Sequence, residues 1–221
     1  MRDRLIGTTI LVLSIDLDPG EGVVAEAGEF AWMTDSIRMS TGTGGESLTD
    51  SALPMSSYTA TGTAGTIAFA ARMAGSIVPV DIAPGCEFLV HRHGFLAGTA
   101  AVQVSTGFRQ SFSSGALAAE GLVLRRIGGE GRAWVELTGA AIRYELAAGE
   151  SLRAHPGHVG MFDSMMGFQV MRVPGVANRH FGGNTHHFAV LSGPGTAWLQ
   201  STPLPVLATS LAPYLEPPPM S

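Results

Sequence analysis

Three phrases of this chain are versions of one another: DLDPGEGVVAEAGEF (16–30), DIAPGCEFLVHRHGF (81–95) and ELAAGESLRAHPGHV (145–159). Each runs from an acid and an apolar residue through a turn ending in Gly, then a Glu, a short apolar strand and another Gly. The turn glycines Gly20, Gly85 and Gly149 are 65 and 64 residues apart. A second phrase keeps the same interval, GGEGRAWVEL (128–137) against SGPGTAWLQS (192–201), which sets Trp134 and Trp198 64 apart. Gly85 to Gly131 and Gly149 to Gly195 are both 46 residues. The first copy is weaker: GTAGTIAFAA (62–71) lacks the Trp but keeps Gly65, 45 residues after Gly20. Similarity at a fixed period implies an array of one small unit, each burying its apolar face against its neighbour.

Within a unit the signals are those of strands. SIDLD and IRYEL alternate apolar and polar residues, which predicts half-buried strands. GGEG and SGPG read as turns of hairpins joining LVLRRI to RAWVEL and FAVL to TAWL. TGTGGESLTDSALPMSS and TGFRQSFSSGALAAEG read as Gly/Ser-rich loops. With 29 Gly, 13 Pro and only 14% charged residues, an all-β fold is expected over a helical one. The expected organisation is one β domain over 1–203, built of three tandem units at about 8–77, 78–141 and 142–203. After Pro205 the spacing of Leu204, Leu207 and Leu211 predicts a short helix over 205–212, so that 204–221 forms a C-terminal helix and tail.

Composition narrows the function classes. All 13 basic residues are Arg, the net charge is −5, and Arg125-Arg126 is the only adjacent basic pair, so no nucleic-acid surface is expected. The single Cys86 excludes an intramolecular disulfide framework and suits a reducing compartment. The N-terminal RLIGTTILVLSIDLDPG is broken by Gly7, Thr8 and Thr9 and reads as a strand rather than a signal peptide. No segment is long enough to span a bilayer as a helix. A cytoplasmic protein without integral membrane segments is the expectation.

The PGE turns, VPVDI (78–82), GFLA (94–97), GGES (44–47), FGGNT (181–185) and SGPGTAWLQS (192–201) together resemble the altered-inheritance-of-mitochondria twenty-four family over about residues 8 to 203. The resemblance implies a fold like the tryptophan RNA-binding attenuator, a short double-stranded β-helix or β-sandwich unit repeated three times per chain. It also implies a trimer whose units form a ring, and it brings no catalytic residues with it.

GCEFLVHRHG (85–94) raises the possibility of a metal. Two imidazoles two apart on a strand share a face, and a Gly, a short run and His-x-His open the first motif of cupin enzymes. Aligning the units sets His91 over Ala25 and Ala154, and His93 over Ala27 and Pro156, with His155 on the opposite, solvent-facing column. No acid follows in GFLAGTAAV, and the further His that the second cupin motif needs is missing from GESLRAHPGHV as a pattern. A tight site wants three or four convergent ligands. His180, His186 and His187 read as structural or surface residues, and Glu21, Glu87 and Glu150, recurring in every unit, as turn or strand-edge groups. No catalytic, cofactor-binding or metal-ligating residue is therefore assigned, and no cofactor is expected.

The expected function is that of a non-enzymatic scaffold or binding module assembled as a ring-like homo-oligomer, a homotrimer in which the units continue from chain to chain. The alternative is a cupin-like metal-dependent enzyme using His91 and His93. The joint is expected at the apolar ends, TTILVLSI at the start and TAWLQS at the finish.

Overall fold

The computed structural model describes residues 1–43, 54–112, 117, 121–173 and 187–215. It is all-β apart from one short helix. The strands are β1 (Arg2–Ile6), β2 (Val12–Leu17), β3 (Gly22–Glu26), β4 (Trp32–Met33), β5 (Ile37–Thr43), β6 (Pro54–Ala60) and β7 (Gly65–Ala70). There follow β8 (Gly75–Ile82), β9 (Phe88–His91), β10 (Phe95–Thr99), β11 (Val102–Gln110), β12 (Leu122–Gly129) and β13 (Gly131–Thr138). The last group is β14 (Ala141–Leu146), β15 (Ser151–Ala154), β16 (Val159–Asp163), β17 (Gly167–Arg172), β18 (His187–Ser192) and β19 (Gly195–Gln200), then helix α1 (Leu204–Leu211).

These strands form four antiparallel sheets. Two have six strands, in the orders β5-β6-β3-β10-β13-β8 and β11-β12-β9-β16-β19-β14. At either end of the molecule lies a smaller one, β1-β2-β7-β4 and β15-β18-β17. The sheets stack in chain order through three apolar layers. Leu13, Ile15, Ile67 and Phe69 of the first sheet meet Tyr58, Leu96 and Trp134 of the second. Phe95, Val135 and Leu137 of the second meet Val90, Ile127 and Met161 of the third. Leu124, Phe162 and Ala197 of the third meet Ala189 and Leu191 of the last.

That stacking explains which strands lose the alternating pattern. β10, β13 and β16 lie inside six-stranded sheets with an apolar layer on each face, and FLAGT, AWVEL and VGMF are buried almost without a break. A strand covered on both faces selects a continuous apolar run. β3, covered mainly on one face, keeps strict alternation.

The structure corrects the expected hairpins. GGEG joins β12, in the third sheet, to β13, in the second, and SGPG joins β18 to β19 across sheets in the same way. These turns carry the chain from one layer to the next, and each flanking strand finds its partners elsewhere in sequence. Among the described residues, the consecutive strands that pair are instead β1–β2, β5–β6, β11–β12 and β17–β18. Of the segments read as Gly/Ser-rich loops, the first begins in β5 and ends in β6, and the second begins in β11, which runs on to Gln110. GGES and FGGNT lie outside the described residues, as do His180 and His186.

The predicted ends of the array also differ. β2 is flanked by β1 and β7, and β19 by β16 and β14, so neither TTILVLSI nor TAWLQS is an edge. IRYEL is a strand, but not a half-buried one: β14 is exposed along its centre, with Ile142 and Tyr144 each 39% accessible. The helix lies one residue earlier than predicted, at Leu204–Leu211, and buries no residue.

Candidate functional site

The three turn glycines adopt φ of +89°, +80° and +86° at Gly20, Gly85 and Gly149, a conformation that L-residues with a Cβ avoid. The recurring glutamates beside them divide. Glu21 accepts from the Asp18 N–H and Glu150 from the Ala147 N–H, both at 2.8 Å, so each closes its own turn. Glu87 instead pairs with Arg126.

The His-x-His motif is split by the end of its strand. β9 stops at His91, the His91 carbonyl accepts from the Gly94 N–H, and His93 lies in that turn. The shared face expected of two strand positions is lost because the backbone leaves the pleat between them. His91 is half-buried, with Nε2 3.0 Å from the Glu136 carbonyl oxygen. Burial is the main reason its pKa falls to about 4, with His93 and Arg72 adding a smaller push in the same direction. It is a neutral ring at physiological pH, held against a backbone oxygen.

Two buried polar side chains near these histidines hold loops. Glu136, 3% accessible, accepts from the backbone N–H groups of Arg72 and Met73 at 2.8 and 3.3 Å. Arg72 donates to the His93 carbonyl, pairs with Glu29 and lies 3.9 Å from the second oxygen of Glu136. Burial raises the Glu136 pKa against the opposing pull of Arg72. Gln200 does the same one sheet further on: Oε1 accepts from the N–H and hydroxyl of Thr138, and Nε2 donates to the Gly157 carbonyl. The His158 ring is 2.8 Å from the Gln200 carbonyl, and His155 caps the 156–158 turn by accepting from the Gly157 N–H. His187 lies on β18, edge-on to Phe112. Among the described residues no three His, Cys, Asp or Glu side chains gather in a way that could hold a metal ion. Cys86 is exposed in its turn.

Two cavities are lined by described residues near these groups and the turns beside them. One of about 40 Å³, room for little more than a water, lies among His91, Thr138, Gln200, Leu204 and Pro205. The other, of about 460 Å³, opens beside Val24, Met55, Val104, Glu87 and Arg126. The two tryptophans differ. Trp134 is fully buried and donates from Nε1 to Asp3 at 3.1 Å, whereas Trp198 is half-buried under Arg143.

The geometry that stands out is backbone, not side chain. In the second sheet β3 joins β10, and in the third β9 joins β16. β15, which follows its turn glycine as β3 and β9 follow theirs, pairs among the described residues only with β18 and is a sheet edge there. Among the described residues β4 pairs only with β7 and is an edge too, carrying Trp32 at 55% accessibility.

Sequence comparison places this architecture. A family model described as "Mitochondrial biogenesis AIM24" matches residues 4–202. The chain belongs to the AIM24 family. No curated protein matches it significantly. Among solved structures, protein SPYM3_0169 from Streptococcus pyogenes is similar, with a TM-score of 0.79 and 19% identity over 97% of this chain and 99% of that one. At that identity the likeness concerns the fold. No helix among the described residues of this AIM24 chain is long and apolar enough to cross a membrane.

Proposed function

We propose that this AIM24 chain is a non-catalytic assembly unit that closes head to tail into a ring of three chains, each contributing three attenuator-like units. The observation that carries the reading is the pair of complementary open edges at β4 and β15. The Glu150 carbonyl accepts from Gly193 beside β18, so the alternating backbone turns the N–H groups of Ser151 and Arg153 to the open side of β15. Joining β15 of one chain to β4 of the next produces β17-β18-β15-β4-β7-β2-β1, in which two half-sheets meet as they do inside the second and third sheets. Unpaired edges invite association, and a head-to-tail contact either closes or grows into a filament. The choice of three chains is supported by the family resemblance. A structural role for the buried polar groups supports the absence of catalysis: His91, Glu136, Gln200 and His158 all serve backbone atoms.

Light scattering coupled to gel filtration tests this. The expected mass is three times that of the 23.0 kDa chain, and Arg153→Pro, which removes an N–H from the open edge, reduces it to that of one chain. A persistent single-chain mass for the unaltered protein, or an oligomer indifferent to Arg153→Pro, overturns the reading.

A further inference from the structure

β2, β8 and β14 occupy the same place in successive sheets. Each pairs with a late strand of matching register, Asp16 opposite Thr66, Asp81 opposite Arg132 and Glu145 opposite Thr196. Each therefore has one flank turned away from the rest of its sheet, but the three flanks are treated differently. On β2 the flank is covered by β1, which sets Arg2 opposite Asp16 and Arg4 opposite Ser14, with an Arg4–Asp16 ion pair at 3.4 Å. On β8 the corresponding position is Pro79, which has no N–H to offer. Among the described residues, no strand pairs with the outer flank of β14, and its central residues are exposed.

The groups that this flank presents follow from its ends. The Ala141 N–H is directed to the Ser76 hydroxyl and the Ala147 N–H to the Glu150 carboxylate, both away from β19. Backbone direction alternates along a strand. The N–H and C=O of Arg143 and Glu145 therefore point outward, between two positions already satisfied by side chains. The exposed segment is two hydrogen-bonding residues long.

We propose that β14 is a self-recognition edge that pairs antiparallel with β14 of a second copy about a two-fold axis at Tyr144. Only residues whose backbone groups face outward can form hydrogen-bonded pairs, which restricts the pairing to Arg143 and Glu145. A register centred on Arg143 or on Glu145 sets like charges opposite each other, which is destabilising. The register centred on Tyr144 sets Arg143 opposite Glu145 twice and makes four backbone hydrogen bonds. On the other face it places Ile142 opposite Leu146 and Tyr144 opposite Tyr144, covering the two large apolar side chains that this strand leaves exposed. An isologous contact of this kind uses the same patch on both copies. Arg143 then stands to the partner's acid as Arg2 stands to Asp16 on the covered edge of β2.

This pairing does not depend on ring closure, which uses β4 and β15. Sedimentation equilibrium over rising protein concentration tests it on the full chain. The unaltered protein is expected to double its mass from whatever assembly it forms when dilute. Glu145→Arg opposes two arginines and removes the doubling, and Arg143→Glu combined with Glu145→Arg restores it by exchanging the charges. Arg143→Pro, which copies the device present at Pro79, removes it regardless of charge. Circular dichroism melts verify that each variant is folded, and Arg153→Pro changes the dilute mass but leaves the doubling. Absence of doubling in the unaltered protein, or doubling that persists in both Glu145→Arg and Arg143→Pro, overturns the proposal.

Discussion

His91 shows what the histidines of this chain contribute. Its pKa lies near 4 because its ring is buried, while in the unfolded chain it takes a proton near the ordinary value of about 6.5. The unfolded state therefore binds more protons between these values, and stability present at neutral pH is lost as pH falls from about 6.5 toward 4, by up to about 3 kcal/mol. His155, also lowered by burial, acts in the same sense, whereas the raised Glu136 acts in the opposite one. The difference in urea midpoint between the unaltered protein and His91→Gln isolates the His91 share. It should be largest at neutral pH in favour of the histidine and shrink as pH drops; a pH-independent difference would show that the imidazole does not titrate. His-x-His was legible as two residues without a third partner, because the missing acid is a matter of sequence. That the strand stops between them was not legible, since the turn is closed by backbone atoms any residue could supply.

At the scale of elements, side chains from one sheet fasten the loops of the previous one. Glu136 at the end of β13 receives the Arg72 and Met73 N–H groups, and Gln200 at the end of β19 receives Thr138. Replacing Glu136 by Leu leaves two part-buried N–H groups without their acceptor, a loss of about 1–3 kcal/mol. Glu136→Gln keeps an acceptor oxygen there, removes a buried charge and should stay within about 1 kcal/mol of the parent. Thermal or urea unfolding of the two variants checks this, and equal losses in both would mean that the carboxylate charge, not its acceptor role, is what matters. Neither staple was legible beforehand, because each acts between residues more than sixty positions apart. The hairpins were misread for the same reason. GGEG has the composition of a hairpin turn, but its flanking strands have better partners in β11 and β9 on one side and β10 and β8 on the other. The turn glycines at 20, 85 and 149 were legible because their requirement is local, a positive φ that the backbone of one residue must satisfy. IRYEL was correctly a strand and incorrectly half-buried: alternation reports which face is apolar, and nothing among the described residues buries that face.

Across the whole molecule, the interior of each six-stranded sheet is built from strands of two successive segments, so local stability should depend on whether both halves are present. β9 and β16 are joined within one chain, as are β3 and β10, while β15 and β4 are sheet edges among the described residues. Amides of Ser151 and Arg153 on the open side of β15 have no ladder acceptor within the described chain, whereas those of β13 and β16 lie between two strands and two apolar layers. Exchange at an edge needs only local opening, but exchange at a doubly flanked strand needs disruption of the packing around it. The proposed ring closure would alter the first and not the second. Hydrogen exchange measured as a function of protein concentration should show protection at Ser151 and Arg153 rising as the assembly fills, with β13 and β16 protected throughout. Arg143 and Glu145 should gain protection only at the higher concentrations where mass doubles, because their pairing involves four backbone hydrogen bonds and little buried surface. A simultaneous rise at both places would assign the two edges to one association step, and fast exchange at Ser151 and Arg153 in an oligomer would place the joint elsewhere.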